Sequence, residues 1–314
     1  MKNERYIYDD IYTGLVNRKE QIKLRYADKK VIDRIYNYVI LDNPLLFYVK
    51  GCFIKSNNLV QFSNLIPQFT HSESNINKFK QSCVELANKI VGRFKSCNEW
   101  TKVLLLHDLF VTKIKYADGP DAHNIVGALL NKEAVCEGIA KAFKFICDML
   151  NIESVIVAGQ SNISLNQDTF IPHAWNKVKI NNIWANIDVT FDMTLSNVKF
   201  IRHDYFCVPD SALSLTHKAV QQFNFNCTSN QLDYYKVKDF EFSAQTELKE
   251  YIKIQLLKEQ REFEIKLVNA KDHSTIEADL LNLIVDVLSS LQIDTTINIY
   301  SNIKRCIFTV ELKS

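Results

Sequence analysis

The chain has 314 residues, 47% hydrophobic and 24% charged, with a formal net charge of +2. This is ordinary globular composition, long enough for one large domain or two to three modest ones, and it argues against disorder. Acids and bases are interspersed, no stretch approaches the ~20 uncharged apolar residues of a membrane span, and the start MKNERYIYDD lacks the apolar core of a signal peptide, so neither nucleic acid nor a membrane is expected as a partner and a cytoplasmic location is.

From Asp9 to about Gln68 the periodicity predicts a short helix, a strand QIKLRY, a helix DKKVIDRIYNYVI and two strands, LLFYVKGCFIK and LVQFSNLI. NKFKQSCVELANKIVGRFK and EWTKVLLLHDLFVTKI carry apolar residues at three- and four-residue steps and read as amphipathic helices, followed by the turn-rich YADGPDAH. A third helix, AVCEGIAKAFKFICDML (134–150), precedes a strand SVIVAG, a polar loop QSNISLNQDTFIP and two strands, HAWNKVKI and IWANIDVTF. Asn181-Asn182 joins that last pair and suits a tight hairpin. Helices first and antiparallel strands after is an α+β layout. The C-terminal stretch offers a helix TELKEYIKIQLLKE, a strand FEIKLVN, a helix TIEADLLNLIVDVLSSL and strands TTINIYSN and RCIFTVEL, the order already met at the N-terminus. The expected organisation is a middle region, 75–218, flanked by two small α/β modules, 1–74 and 219–314.

Eight cysteines stand at 52, 83, 97, 136, 147, 207, 227 and 306, with no CxxC pair and no compact Cys/His spacing, so no structural metal is expected. Cys147 and Cys306 lie inside apolar patterns and read as packing residues. Cys136 differs: it stands where a helix start would recruit Ser, Thr, Asp or Asn, and a thiol caps poorly. The positive end of a helix dipole favours thiolate over thiol, which suits a nucleophile.

A thiolate attacking an amide needs a base, a group to orient the base and donors for the oxyanion. If the Asn181-Asn182 turn pairs Ile180 with Ile183, then His173 faces Thr190, with Asp188 a diagonal step away on the same face. Trp175, Lys177, Trp184 and Asn186 share that face, which could pack toward the start of the Cys136 helix, while Ala174, Val178, Ile180, Ala185 and Ile187 form a core face. Asp192 is the other diagonal neighbour. Pattern alone does not choose between the acids, but position within the alternating strand favours Asp188.

His107, on an apolar helix, reads as a hydrogen-bonded core histidine, and His123 as a solvated loop residue. Glu137 supplies first-turn charge and Gly138 close packing, and the leucine-rich stretch 276–291 reads as an ordinary packed helix.

GALLNKEAVCEGIAKAFKFICDMLNIESVIVAG, HAWNKVKINNIWANIDVTFD and HDYFCVPDSALSLTHK, in that order, resemble the nucleophile segment, the histidine-aspartate hairpin and the following segment of the transglutaminase-like superfamily of papain-fold cysteine enzymes. The resemblance spans roughly 75–218. It implies a papain-fold core with the nucleophile helix packed on an antiparallel sheet, Cys136 as nucleophile, His173 as general base and acid, and Asp188 as the orienting carboxylate. The second oxyanion donor does not transfer. Asn181-Asn182 replaces a glycine frequent in family hairpins, and Phe191 a tryptophan. The implied activity is amide-bond chemistry on a protein or peptide through an acyl-enzyme. Water as second nucleophile makes a peptidase or amidase and a lysine amine a cross-linking transglutaminase, and a papain-like binding scaffold is the non-catalytic alternative. No GxxxxGK, GxGxxG or HExxH motif and no convincing calcium loop is present, so no cofactor is expected.

Overall fold

A computed structural model describes residues 2–25, 28–57, 62–162, 169–220, 223, 225–268 and 273–313. Helices α1 (Lys2–Val16) and α2 (Lys29–Asp42) bracket strand β1 (Ile22–Arg25), and β2 (Val49–Asn57) and β3 (Phe62–Phe69) complete an antiparallel sheet of order β1-β3-β2. Then come α3 (Glu73–Phe94), α4 (Glu99–Lys113), the two-residue strands β4 (Lys115–Tyr116) and β5 (Glu133–Ala134), and α5 (Cys136–Met149). Strands β6 (Ser154–Ser161), β7 (Ile171–Ile180), β8 (Ile183–Ile187) and β9 (His217–Ala219) form a second antiparallel sheet, order β8-β7-β6-β9; the short helices α6 (Val189–Leu195) and α7 (Asp210–Leu213) lie between β8 and β9. The chain closes with α8 (Tyr234–Val237), β10 (Glu241–Phe242), α9 (Gln245–Leu257), β11 (Glu262–Leu267), α10 (Ile276–Ser290), β12 (Thr296–Asn302) and β13 (Ile307–Lys313). Their sheet has the order β10-β11-β13-β12. Its β11-β13-β12 part, with a helix before β11 and another after it, repeats the plan of the first sheet.

Local chemistry explains the helix starts. Asp28, Ser72 and Asn98 each accept a first-turn N–H, from Lys30, Asn75 and Thr101, and so launch α2, α3 and α4. In α2 the apolar stripe Ile32, Ile35 and Val39 turns inward, which leaves the opposite stripe facing outward. Each such side chain contributes about 1.5–3 kcal/mol on burial, so these helices are held by packing more than by propensity. A single apolar core runs from Ile11 and Leu15 in α1, through Phe110 and Phe143, to Val178 and Ile187 of the second sheet. The C-terminal elements build their own around Ile252, Ile284, Phe308 and Val310.

Three elements differ from the sequence pattern. The first helix begins at Lys2, well before Asp9. The LLFYVKGCFIK segment begins inside a 3-10 turn, Pro44–Leu46, which Pro44 starts with its fixed φ, and becomes a strand at Val49. The IWANIDVTF strand stops at Ile187: the Asp188 carboxylate accepts the Phe191 N–H and caps α6, so no ladder pairs His173 with Thr190. Residues 59–61 of the LVQFSNLI strand and 163–168 of the polar loop lie outside the described residues.

Candidate active site

Val135, extended at φ −92° and ψ 175°, precedes α5 without any side-chain cap, so Cys136 is the first helical residue and not the cap itself. Tyr116 lies beside it: burial raises the Tyr116 phenol, and the neighbouring Cys136 thiol adds to that rise. Parallel pairing of β4 with β5 sets Tyr116 opposite Ala134 and so delivers the phenol there. Gly138 allows the preceding loop to cross the first turn, for a Cβ at that position would lie 2.2 Å from the Ala122 carbonyl oxygen. That carbonyl accepts the Val135 N–H at 3.1 Å.

The hairpin holds the register set by its turn. Ile180 pairs with Ile183 and Asn176 with Ile187, and both turn asparagines adopt positive φ, as a primed turn demands. The body of α5 lies on the core face of this sheet: Asn176 donates to the Ala140 carbonyl at 3.0 Å, and Ala140 packs on Ile156 and Ala174. His173 projects from the other face, and its ring and the Cys136 thiol at the helix start line the same cleft as electrostatic neighbours. Its Nε2 is taken by Asp188 Oδ2 at 2.6 Å, which leaves Nδ1 for the sulfur. Trp175 stacks beside the ring at 6.1 Å.

Asp188 has a second imidazole partner. His217 Nε2 lies 2.8 Å from the same Oδ2, and its Nδ1 lies 2.8 Å from the Thr216 hydroxyl. The pairings of His173 with Gly159 and of Ser161 with His217 place both rings on one face of the sheet. Burial penalises a charged His173, but the adjoining Asp188 carboxylate outweighs it and pushes the imidazole up to about 10. Burial alone would raise Asp188; the charge of His173 and the hydrogen bonds of both histidines hold it well below the usual carboxylate range. Burial lowers His217 despite its bond to Asp188, so it stays neutral and donates its Nε2–H.

The structure therefore brings Cys136, His173 and Asp188 together and assigns Asp192 elsewhere. Asp192 accepts the Tyr205 N–H and contacts His107 Nε2 at 3.0 Å, while His107 Nδ1 contacts Asp108 at 2.9 Å. His107 is thus the buried, hydrogen-bonded histidine its apolar helix predicts, pushed up to about 9 by the two carboxylates against its burial. His123 is exposed; its Nδ1 meets Glu137 at 3.1 Å, and Glu137 also binds Lys141 at 2.6 Å. The leucine-rich stretch is α10, packed through Leu283, Ile284 and Val287.

Among the described residues, two His/Asp groups have ligand atoms close enough to hold a metal ion: His107, Asp108 and His203, and His173, Asp188 and His217. In both, these atoms are already bonded to one another, and the second group is the candidate site itself. Tyr116 and His217 carry no signal in the pattern. Tyr116 reaches Cys136 through a two-residue parallel pairing, and His217 comes from a strand that closes the sheet on its far side.

The site opens into a cleft of about 920 Å³. Cys136, Gly159 and His173 form one wall, and Lys30, Arg34 and Tyr38, from the outward stripe of α2, form the other. A Cβ on Gly159 would lie 2.4 Å from the Lys218 carbonyl oxygen and 2.7 Å from the Trp175 indole, so glycine there lets β9 and Trp175 close on β6 beside His173.

Residues 85–189, which carry all three side chains, match the family model described as Transglutaminase-like superfamily, over 105 of 314 residues, about a third of the chain. This stretch is similar to a transglutaminase-like core, and it sits in an α+β fold. No curated protein matches the chain. Among solved structures it is similar to a TGase, with 13% identity over 54% of this chain and 50% of that one, at a TM-score of 0.31. It is also similar to a candidate cysteine protease from Cytophaga hutchinsonii, with 17% identity over 45% of this chain and 61% of that one, at a TM-score of 0.30. A third similarity is to menin, whose structure reveals the binding site for Mixed Lineage Leukemia protein: 14% identity over 93% of this chain and 52% of that one, at a TM-score of 0.28. The chain thus spans between half and about three fifths of the length of these proteins. Among the described residues no helix is long and apolar enough to cross a membrane.

Proposed function

We propose that the chain is a cysteine-dependent amide-bond hydrolase, a peptidase or amidase acting on a protein or peptide. One observation supports this above the rest: at the wall of an open cleft the Cys136 thiol and the His173 ring are neighbours, and that ring is hydrogen-bonded to the Asp188 carboxylate. His173 Nδ1 takes the Cys136 proton, and the thiolate attacks the substrate carbonyl carbon. The resulting oxyanion lies at the α5 start, where the Cys136 N–H is one donor and the Tyr116 hydroxyl, rotating its proton inward, is the second. As the C–N bond breaks, the imidazolium gives its proton to the departing nitrogen and a thioester remains. Water, deprotonated by His173, attacks that thioester and restores the thiol. The cleft's exposure to solvent favours water as the second nucleophile.

The test is mass spectrometry of a glutamine-containing protein incubated with the chain, with and without a primary amine. New termini or deamidation are expected, and both disappear in Cys136→Ala. Amine incorporation in preference to hydrolysis would make the protein a transferase. No product, together with iodoacetamide labelling of Cys136 no faster than that of free cysteine, would leave only a binding scaffold.

A further inference from the structure

A second cavity, of about 680 Å³, adjoins the cleft of Cys136. Asn37, Ile40, His123 and Glu137 line both spaces, so the two form one continuous groove. One wall of this cavity comes from residues 36–51, outside the stretch that matches the family model. That wall is largely apolar: Tyr36, Ile40 and Val49 are half-buried and keep surface to cover, over a floor of buried Pro44, Leu46 and Phe47. The facing wall is polar but internally satisfied. Asp121 Oδ1 is taken by His71 at 3.1 Å and by Asn124 at 2.9 Å, and the two Glu137 oxygens are taken by Lys141 and His123. The free energy left for a ligand is therefore in covering the apolar wall.

The position of the proton donor orients a substrate. The departing amine must reach His173, and His173, Pro172 and Gly159 line only the first space. The second cavity lies past Glu137, away from His173, and so faces the part of the substrate that stays on the sulfur. Resting on the thiol-hydrolase reading above, we propose that this cavity is an acyl-side subsite that takes a large apolar side chain of a polypeptide substrate. The N-terminal elements thereby act in substrate selection.

Peptidyl chloromethyl ketones with Leu or Asp at each of three positions before the ketone test this, with Cys136 alkylation in the full chain read by mass spectrometry and iodoacetamide as the small control. Leu at one position is expected to accelerate labelling by about tenfold or more over Asp, as burying a large apolar side chain implies. In Gly51→Trp that preference vanishes while the iodoacetamide rate holds. Gly51 accepts a side chain, because a Cβ there meets only Gln68 Oε1, at 3.7 Å. A preserved iodoacetamide rate shows that the variant is folded at the site, and Ile40→Gln, on the shared rim, serves as the second variant. Equal rates for Leu and Asp, or a Leu preference that survives both variants, overturn the subsite alone if iodoacetamide still labels Cys136 faster than free cysteine. Slow iodoacetamide labelling overturns the thiol reading and the subsite with it.

Discussion

His217 and His173 share one carboxylate oxygen, and this decides how firmly Asp188 holds the imidazole that faces Cys136. His173 is raised to about 10, against about 6.5 for an unperturbed imidazole, so its contribution to stability is full below about 6.5 and is lost as pH rises through about 10. Asp188 is depressed, so its contribution is present above about 3.9 and is lost as pH falls below that. The thermal midpoint should hold between these limits, and kcat/KM should fall on an alkaline limb near 10, where the imidazolium loses its proton. His217 is a positioning residue. In His217→Phe, kcat should drop about tenfold with KM unchanged, and the alkaline limb should move upward, because the carboxylate no longer divides its hydrogen bonding between two rings. His217→Gln, whose amide N–H can reach the same oxygen, should restore both. An unmoved limb in His217→Phe would reduce the residue to packing.

Helix α5 is placed by contacts at its two sides: the sheet face carrying Ala174 and Asn176, and the loop pressed on Gly138. A methyl group at 138 must push the Ala122 carbonyl, which is backbone and cannot swing aside. Gly138→Ala should therefore cost about 1–3 kcal/mol, seen in urea unfolding, and should slow alkylation of Cys136 by displacing the helix start. Gly92→Ala, exposed in α3 with nothing within 4 Å of the added carbon, is the matched control: it should raise the unfolding free energy by about 0.5–1 kcal/mol through helix propensity and leave the alkylation rate unchanged. The hairpin shows how local and non-local effects divide. Its register was legible, because an Asn-Asn turn and a period of two suffice to define it. The end of its second strand was not, since Asp188 reads equally as a strand residue and as a helix cap until its partners are known.

Across the whole molecule, the C-terminal elements are joined to the middle region by buried charge. Arg202, 1% exposed, binds both oxygens of Asp204 at 2.8 Å and donates to the Tyr300 carbonyl at 2.9 Å. Asn302 and Tyr235 supply further donors to Asp204. Nearby, Asp233 pairs with Lys266 and Arg305. Removing one member leaves a buried charge without its counter-ion, so Asp204→Asn should lower the unfolding free energy by about 3–5 kcal/mol. Added salt should change little, because water and ions do not reach the pair. A loss below 1 kcal/mol in urea unfolding would mean that the apolar contacts alone hold this joint.

What the sequence determined by itself is what a short stretch of chain can decide: the helix that opens at Cys136, the hairpin carrying His173 and Asp188, and the similar order of elements at the two ends. Each follows from periodicity or turn chemistry within about 20 residues. Only the tertiary structure assigned Asp192 to His107, brought Tyr116 and His217 to the site, and set α2 across the cleft from Cys136. These depend on which surfaces meet when the apolar faces are buried together. Burial selects partners by shape and polarity across the whole chain, and no local pattern encodes that choice.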